Sequence, residues 1–427
     1  MTTEPEKNSI DTGSFLSDQQ EEEMVATVAI DIGTSRIRTA VIGRSETGNV
    51  KLLAYGDVAS LGMNAGVITD VKKTTDVLQA SLYQVQQKLG ASGSIRVAII
   101  GIGGNDIIAS PTDSHLTLSK KWLGKSQTIS FEDLYRLKEH HHHVFISSEY
   151  QQLDLIPMGY SVDGTNWLSS PVGLEAQNLF GRYLSLAARK EAVDVVNDCC
   201  KRATVSIKST VYAPATMDRV ALEPTEKHFG TIVIDIGYST TNVLFIKEGV
   251  WQYAFPVQYG SRDITSDISQ MCEVPLDTAN DLKKKYGATK PVSYWDDMGK
   301  PVAPELIPVP GNREIDPDYL YRVVVARCEE IFDVAMDELY MRANRAVEEP
   351  VVLSGGGAML PGLVEFAQRY LKRPVRLAKP SGIQDLAGEA LTPAAINVLG
   401  MAMYGFELTS LNPQNPISRL FDWVNGS

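Results

Sequence analysis

Cysteine is scarce in this 427-residue chain. There are four, Cys199, Cys200, Cys272 and Cys328. Only the first two are close, and adjacent cysteines rarely bridge, so a disulfide scaffold is excluded and reduced thiols in a cytoplasmic protein are expected. Basic charge is also short, with 40 Lys and Arg against 52 Asp and Glu and a net charge of −12. With no basic stripe, a nucleic-acid partner is excluded. No apolar run reaches the ~18 residues that a membrane span needs. The N-terminus lacks the charged-then-apolar pattern of a signal peptide. What remains is ordinary for a globular protein, 44% apolar and 22% charged. The length is too great for one core, so at least two domains are expected.

Three stretches stand out. Val25 to Arg44 reads as strand, tight turn and strand around Asp31-Ile32-Gly33-Thr34-Ser35. A second copy, Thr231 to Gly249, carries Asp235-Ile236-Gly237-Tyr238-Ser239-Thr240-Thr241. A third apolar strand, in Pro350 to Leu363, ends in Ser354-Gly355-Gly356-Gly357. A repeat on this scale predicts two similar halves with their loops at one cleft. Glycine lets backbone N–H groups approach phosphate oxygens. Thr34, Ser35, Ser239, Thr240 and Thr241 add hydroxyl donors. Asp31 and Asp235 would be repelled by a triphosphate, but make sense holding water on a Mg²⁺ between them. Each motif alone reads equally well as a plain hairpin turn; the three in this order do not.

This order of motifs resembles the actin-like ATPase superfamily, which includes actin, the heat-shock chaperones and sugar kinases. Pro171-Val172-Gly173-Leu174, after an Ile156-Pro157 strand, and Thr265-Ser266-Asp267-Ile268, after the second hairpin, look like the FtsA family of bacterial cell division. The resemblance runs from about Val25 to about Glu407 and is weakest between Gly104 and Leu155. It implies an α/β, actin-like two-lobed ATPase fold, with duplicated ribonuclease H-like halves and an inserted small subdomain. It implies ATP and Mg²⁺ as cofactors, the metal held by Asp31 and Asp235 through water. Asp31, Gly33, Thr34, Ser35 and Arg36 would line one side of the nucleotide, and Asp235, Gly237, Ser239, Thr240 and Thr241 the other. Gly355, Gly356 and Gly357 would lie near base and ribose. Lys283 would reach the ribose, with Asn280 where relatives carry Glu. Two departures matter. Ala213 stands where many relatives have the Glu or Gln that orients the attacking water, which implies slow or assembly-linked hydrolysis. Tyr238 stands where many have a small glycine.

The resemblance further implies a filament-forming adaptor that tethers a tubulin-like FtsZ ring to the inner face of the cell membrane at the division site. Its partners would be an FtsZ-like C-terminal tail, met between Ser261 and Arg345, further copies of itself, and membrane lipid. The alternatives within the superfamily are the actin-like ATPase of type IV pilus assembly and a small-molecule kinase. A kinase needs an acid beside the Tyr212-Ala213-Pro214 turn, and the nearest, Asp218, is a turn further on.

The expected domains are an acidic disordered tail (1–24), the first lobe (25–93 and 183–230), the inserted subdomain (94–182) and the second lobe (231–408, with a smaller subdomain at 261–345). A linker (409–416) and an amphipathic segment (417–427) follow. Ile417, Leu420, Phe421 and Val424 form one helical stripe with Trp423 at its edge, and would anchor the chain to lipid. His140 to His143 read as a solvated helix end rather than a metal site.

Overall fold

The computed structural model describes residues 24–90, 95–104, 106–118, 126–141, 147–287, 305–385, 388 and 390–410. Most of the N-terminal tail, His142 and His143, the linker beyond Ser410 and the amphipathic segment lie outside the described residues. Met24, assigned to the tail, instead opens the first strand and is buried.

Strands β1 (Met24–Ile32) and β2 (Arg36–Ser45) form an antiparallel hairpin, and β2 pairs with β3 (Val50–Ala59). Helix α1 (Val71–Leu89) follows; the Asp70 side chain accepts the Lys73 N–H at its start, satisfying one orphan donor. Its stripe Val77, Leu78, Leu82 and Val85 is buried against β2 and β3. The apolar run of β4 (Val97–Ile102) then lies parallel to β1.

An excursion follows. Strands β5 (Ile107–Thr117), β6 (Tyr150–Val162) and β7 (Asn178–Arg189) form an antiparallel sheet with β7 in the middle, and helix α2 (Phe131–His141) packs on it. Leu137, Leu155, Leu179 and Tyr183 belong to its own small core. The subdomain boundaries differ from those expected. β4 pairs within the first-lobe sheet, so the small sheet begins at Ile107. β7 bulges between Arg182 and Tyr183 but stays paired to Ala188 on the β5 side and to Arg189 on the β6 side, so the small sheet does not end at 182. Helix α3 (Lys190–Arg202) and β8 (Ser206–Tyr212), parallel to β4, complete a sheet of order β8–β4–β1–β2–β3.

The second half repeats that path. Strands β9 (Thr231–Ile236), β10 (Thr241–Lys247) and β11 (Val250–Val257) are antiparallel neighbours. Helices α4 (Ser261–Met271), α5 (Leu276–Tyr286) and α6 (Pro317–Ala343) follow. Strand β12 (Val351–Ser354) pairs in parallel with β9; helix α7 (Leu363–Leu371) leads to β13 (Val375–Leu377), parallel to β12. The order β11–β10–β9–β12–β13 matches the first sheet strand for strand.

Strand alternation divides the interior. Ile232, Ile234 and Ile236 face the core under α4 to α6, while Val233 between them faces the core shared with the first lobe. The last helix, α8 (Ile396–Ser410), corrects the assignment of 231–408 to the second lobe. Ile396, Leu399, Met401, Ala402 and Phe406 are buried in the first-lobe core, and the Thr27 hydroxyl of β1 donates to the Ala402 carbonyl at 2.7 Å. An almost wholly apolar helix needs cover on most sides, and the face of the first sheet opposite α1 supplies it. All four cysteines are unpaired and buried.

Candidate nucleotide cleft

The two hairpin turns have one geometry. The Gly33 N–H donates to the Arg36 carbonyl (3.1 Å), and the Gly237 N–H to the Thr240 carbonyl (2.9 Å). A Cβ on Gly33 or Gly237 would stand 2.8 or 2.7 Å from that same carbonyl oxygen, which is why both turns need glycine. The turns face each other across a cleft of about 620 Å³. Asp31, Gly33, Thr34, Ser35 and Arg36 line it from the first lobe. Asp235, Gly237, Ser239, Thr240, Lys283, Gly355, Gly356 and Gly357 line it from the second.

Thr241 does not join them. It is fully buried at the start of β10, and its hydroxyl donates to the Tyr259 carbonyl at 2.8 Å. Alternation turns Asn242 into the cleft instead, directly opposite Asp235. At the same register position in the first hairpin, opposite Asp31, stands Arg38, also in the cleft. Neither was named from the sequence; their equal offset from the two aspartates was the available signal. Arg36 lines the rim with its guanidinium committed to Asp57, through Nε to the carboxylate and Nη2 to the carbonyl (3.1 Å). Lys283 is likewise engaged. Its ammonium donates to the Ser261 carbonyl (2.8 Å) and the Thr265 hydroxyl (2.6 Å), and burial pulls it down to about 8. It ties α5 to α4 at the cleft wall.

Both aspartates are disfavoured as anions. Burial pushes Asp31 up to about 6; Arg38 opposes the shift, and the charges of Asp235 and Asp57 add to it. Burial also raises Asp235, against the hydrogen bonds of the Asn242 and Asn397 amides. Those amides donate to Asp235 Oδ2 at 3.0 and 3.2 Å. Asp235 Oδ1, Ser239 Oγ and Asn397 Oδ1 are buried without a hydrogen-bond partner in the protein. Orphaned oxygens gathered at one cleft are costly unless something binds there. Among the described residues no group of three or more acids, histidines or cysteines could hold a metal by itself. The donor set therefore fits a hydrated Mg²⁺ that takes its other ligands from phosphate.

Ala213 sits buried at the cleft floor, and no Glu, Gln or His is among the described lining residues. Tyr238 lines the mouth, partly exposed; its carbonyl accepts the Arg262 N–H at 2.8 Å. Arg262 in turn donates to Asn64 of the first lobe at 3.2 Å.

Residues 232–400 match the family model of cell division protein FtsA, and residues 115–185 match the SHS2 domain inserted in FtsA. The two matches together span more than half of the chain. The chain belongs to the FtsA family. FtsA of Neisseria meningitidis serogroup B is 26% identical over 392 residues, covering 90% of this chain and 91% of that protein. FtsA of Bacillus subtilis is 26% identical, covering 84% and 80%. Among solved structures, the PilM-PilN type IV pilus biogenesis complex aligns with TM-score 0.62 at 16% identity, covering 89% of this chain and 98% of that one. MreB 5 of Spiroplasma citri bound to AMPPNP aligns with TM-score 0.52 at 12% identity, covering 90% and 97%. These two share the actin-like fold. An FtsA-family chain is a cell-division protein of the actin-like ATPase class, which sets aside the kinase and pilus readings. The SHS2 match falls on the excursion between β4 and α3. Among the described residues no helix is long and apolar enough to cross a membrane.

Proposed function

We propose that the chain binds Mg-ATP between its lobes and, so loaded, assembles into filaments that tether a tubulin-like FtsZ ring to the inner face of the cell membrane at the division site. The observation that carries this reading is the pair of identical glycine turns opposed across one cleft, each ending a strand in a carboxylate that burial disfavours. Backbone N–H groups of the two turns, with the hydroxyls of Thr34, Ser35, Ser239 and Thr240, would donate to the phosphates. Asp31 and Asp235 would accept from water on the metal. Bound Mg²⁺ supplies neutralisation of phosphate charge, which lets two carboxylates and a triphosphate share the cleft. Gly355, Gly356 and Gly357 would leave room for base and ribose beside Asn280 and the α4–α5 wall. Without a water-orienting side chain at Ala213, hydrolysis would be slow or would wait for assembly.

The FtsZ-like tail would dock on the smaller subdomain, between Ser261 and Arg345. Ile417, Leu420, Phe421, Trp423 and Val424 would enter the lipid surface. The test is electron microscopy of the full chain on lipid monolayers, with and without ATP, together with a pull-down on the isolated FtsZ tail peptide. Filaments on lipid that need ATP, and capture by the peptide, support the adaptor. Monomers alone, with no capture, refute it.

A further inference from the structure

Asp235 belongs to the second lobe, yet of the two amides that hold it one comes from the first lobe and the other is itself held by a first-lobe hydroxyl. Asn242, opposite it on β10, gives Oδ2 one amide hydrogen bond, and Asn397 gives the other. The Asn242 Oδ1 accepts from the Tyr212 hydroxyl at 2.8 Å. Tyr212 ends β8, the edge strand of the first-lobe sheet, and is buried. Asn397 lies in the first turn of α8, whose apolar residues are part of the first-lobe core. The hydrogen-bonded chain Tyr212–Asn242–Asp235–Asn397 thus starts and ends on the first lobe and passes through the second.

Chemistry sets the direction of each bond. A carboxylate only accepts, so Asn242 must turn its NH₂ towards Asp235. Its amide oxygen then faces away and needs a donor, which the Tyr212 hydroxyl provides. A flipped Asn242 would set a carbonyl oxygen against the carboxylate. With both amides on Oδ2, Asp235 Oδ1 is the oxygen left without a partner.

We propose that Tyr212 and Asn397 are positioning residues: from the first lobe they orient Asp235, so that the second-lobe half of the cation seat is aligned only while the lobes keep this register. This rests on the reading of the cleft as a Mg-ATP site. Cation-dependent nucleotide binding and lobe register are then one coupled equilibrium. Opening the lobes breaks the chain at Tyr212 and at Asn397, and releases the Asp235 carboxylate.

The experiment is titration of the full chain with a fluorescent ATP analogue, in saturating Mg²⁺ and again in EDTA. Tyr212→Phe removes one oxygen. Its affinity in Mg²⁺ is expected to fall by about tenfold, the effect usual for a partner behind a metal-associated group. Its affinity in EDTA should stay at the wild-type level. Asn397→Ala, at a partly exposed position in the cleft, should lose more affinity in Mg²⁺ than in EDTA, and carries the test if Tyr212→Phe fails to fold. In an Asn242→Ala background, Tyr212→Phe should add no further loss, because its effect runs through that amide. Equal losses with and without Mg²⁺, no loss, or a full loss in the Asn242→Ala background overturns the proposal. A wild-type chain whose nucleotide affinity ignores Mg²⁺ overturns the Mg-ATP reading itself, and this inference with it.

Discussion

Keeping Asp31 ionised works against its surroundings. Its folded value of about 6 lies above the ordinary 3.8. Between those values the folded chain holds a proton that the unfolded chain has released, so stability falls as pH rises, and above about 6 the whole penalty is in force. Asp31→Asn removes the charge and should stabilise the nucleotide-free protein near neutral pH by roughly 1–3 kcal/mol, given 1.4 kcal/mol per pKa unit. Thermal melts should show the gain shrinking as pH falls towards 4, where wild type is itself protonated. The same substitution should weaken Mg-ATP binding. A variant that melts lower than wild type at neutral pH contradicts the burial argument. Asp235→Ala should reduce ATP affinity in Mg²⁺ by about tenfold or more, ~1.4 kcal/mol, and leave affinity in EDTA nearly unchanged. Calorimetry showing equal affinity in Mg²⁺ removes Asp235 from the cation seat.

At the scale of elements, the hairpin and the glycine loop after β12 are what make the cleft. Gly355 has φ +85°, and a Cβ there would press on the Ile236 carbonyl oxygen and stand 2.7 Å from Asp235 Oδ1. The loop therefore packs against the second turn only without a side chain. Gly355→Ala should cost ~1–3 kcal/mol of stability through the strained φ alone. It should also weaken ATP binding by displacing Asp235. A melting temperature within a degree of wild type would mean that the loop relaxes away from the turn. Helices α4 and α5 make the opposite wall, joined by the buried Lys283 ammonium rather than by apolar contacts alone.

On the proposed reading, the whole molecule would join slow nucleotide turnover to a weak anchor. No described cleft residue offers a Glu, Gln or His to orient water, so steady-state turnover should stay far below the ~10 s⁻¹ of a typical enzyme. Phosphate release at that rate from unassembled protein would show that another group activates water. Helix α8 runs from the first-lobe core to Ser410, just before the amphipathic stripe in sequence. Each large apolar side chain there is worth at most ~1.5–3 kcal/mol when fully buried. Arg419 is balanced by Asp422, so anionic lipid adds little. One copy would then act as a single weak lipid anchor, and a filament would present many. In liposome co-sedimentation with ATP, the full chain should pellet and a chain ending at Ser410 should not. Equal pelleting of the two means that the stripe is not the anchor.

The three glycine motifs, the doubled lobe and the apolar strands were legible in the sequence, because each is a local constraint that leaves its mark on composition. A turn in which a Cβ would strike the carbonyl three residues on admits only glycine, and a strand covered on both faces is mostly apolar. Thr241, Asn242 and Arg38 were decided by strand register, which sends neighbouring residues to opposite faces and seats Arg38 and Asn242 opposite the two aspartates. The return of α8 to the first lobe, the continuation of β7 past its bulge to Arg189, and the hold on Asp235 by Asn397 directly and by Tyr212 through Asn242 were decided only by tertiary packing. These contacts join residues far apart in the chain. A buried Tyr or Asn has the same composition whether it fills a core or holds a carboxylate across a cleft, so nothing local distinguishes the two until the lobes are folded against each other.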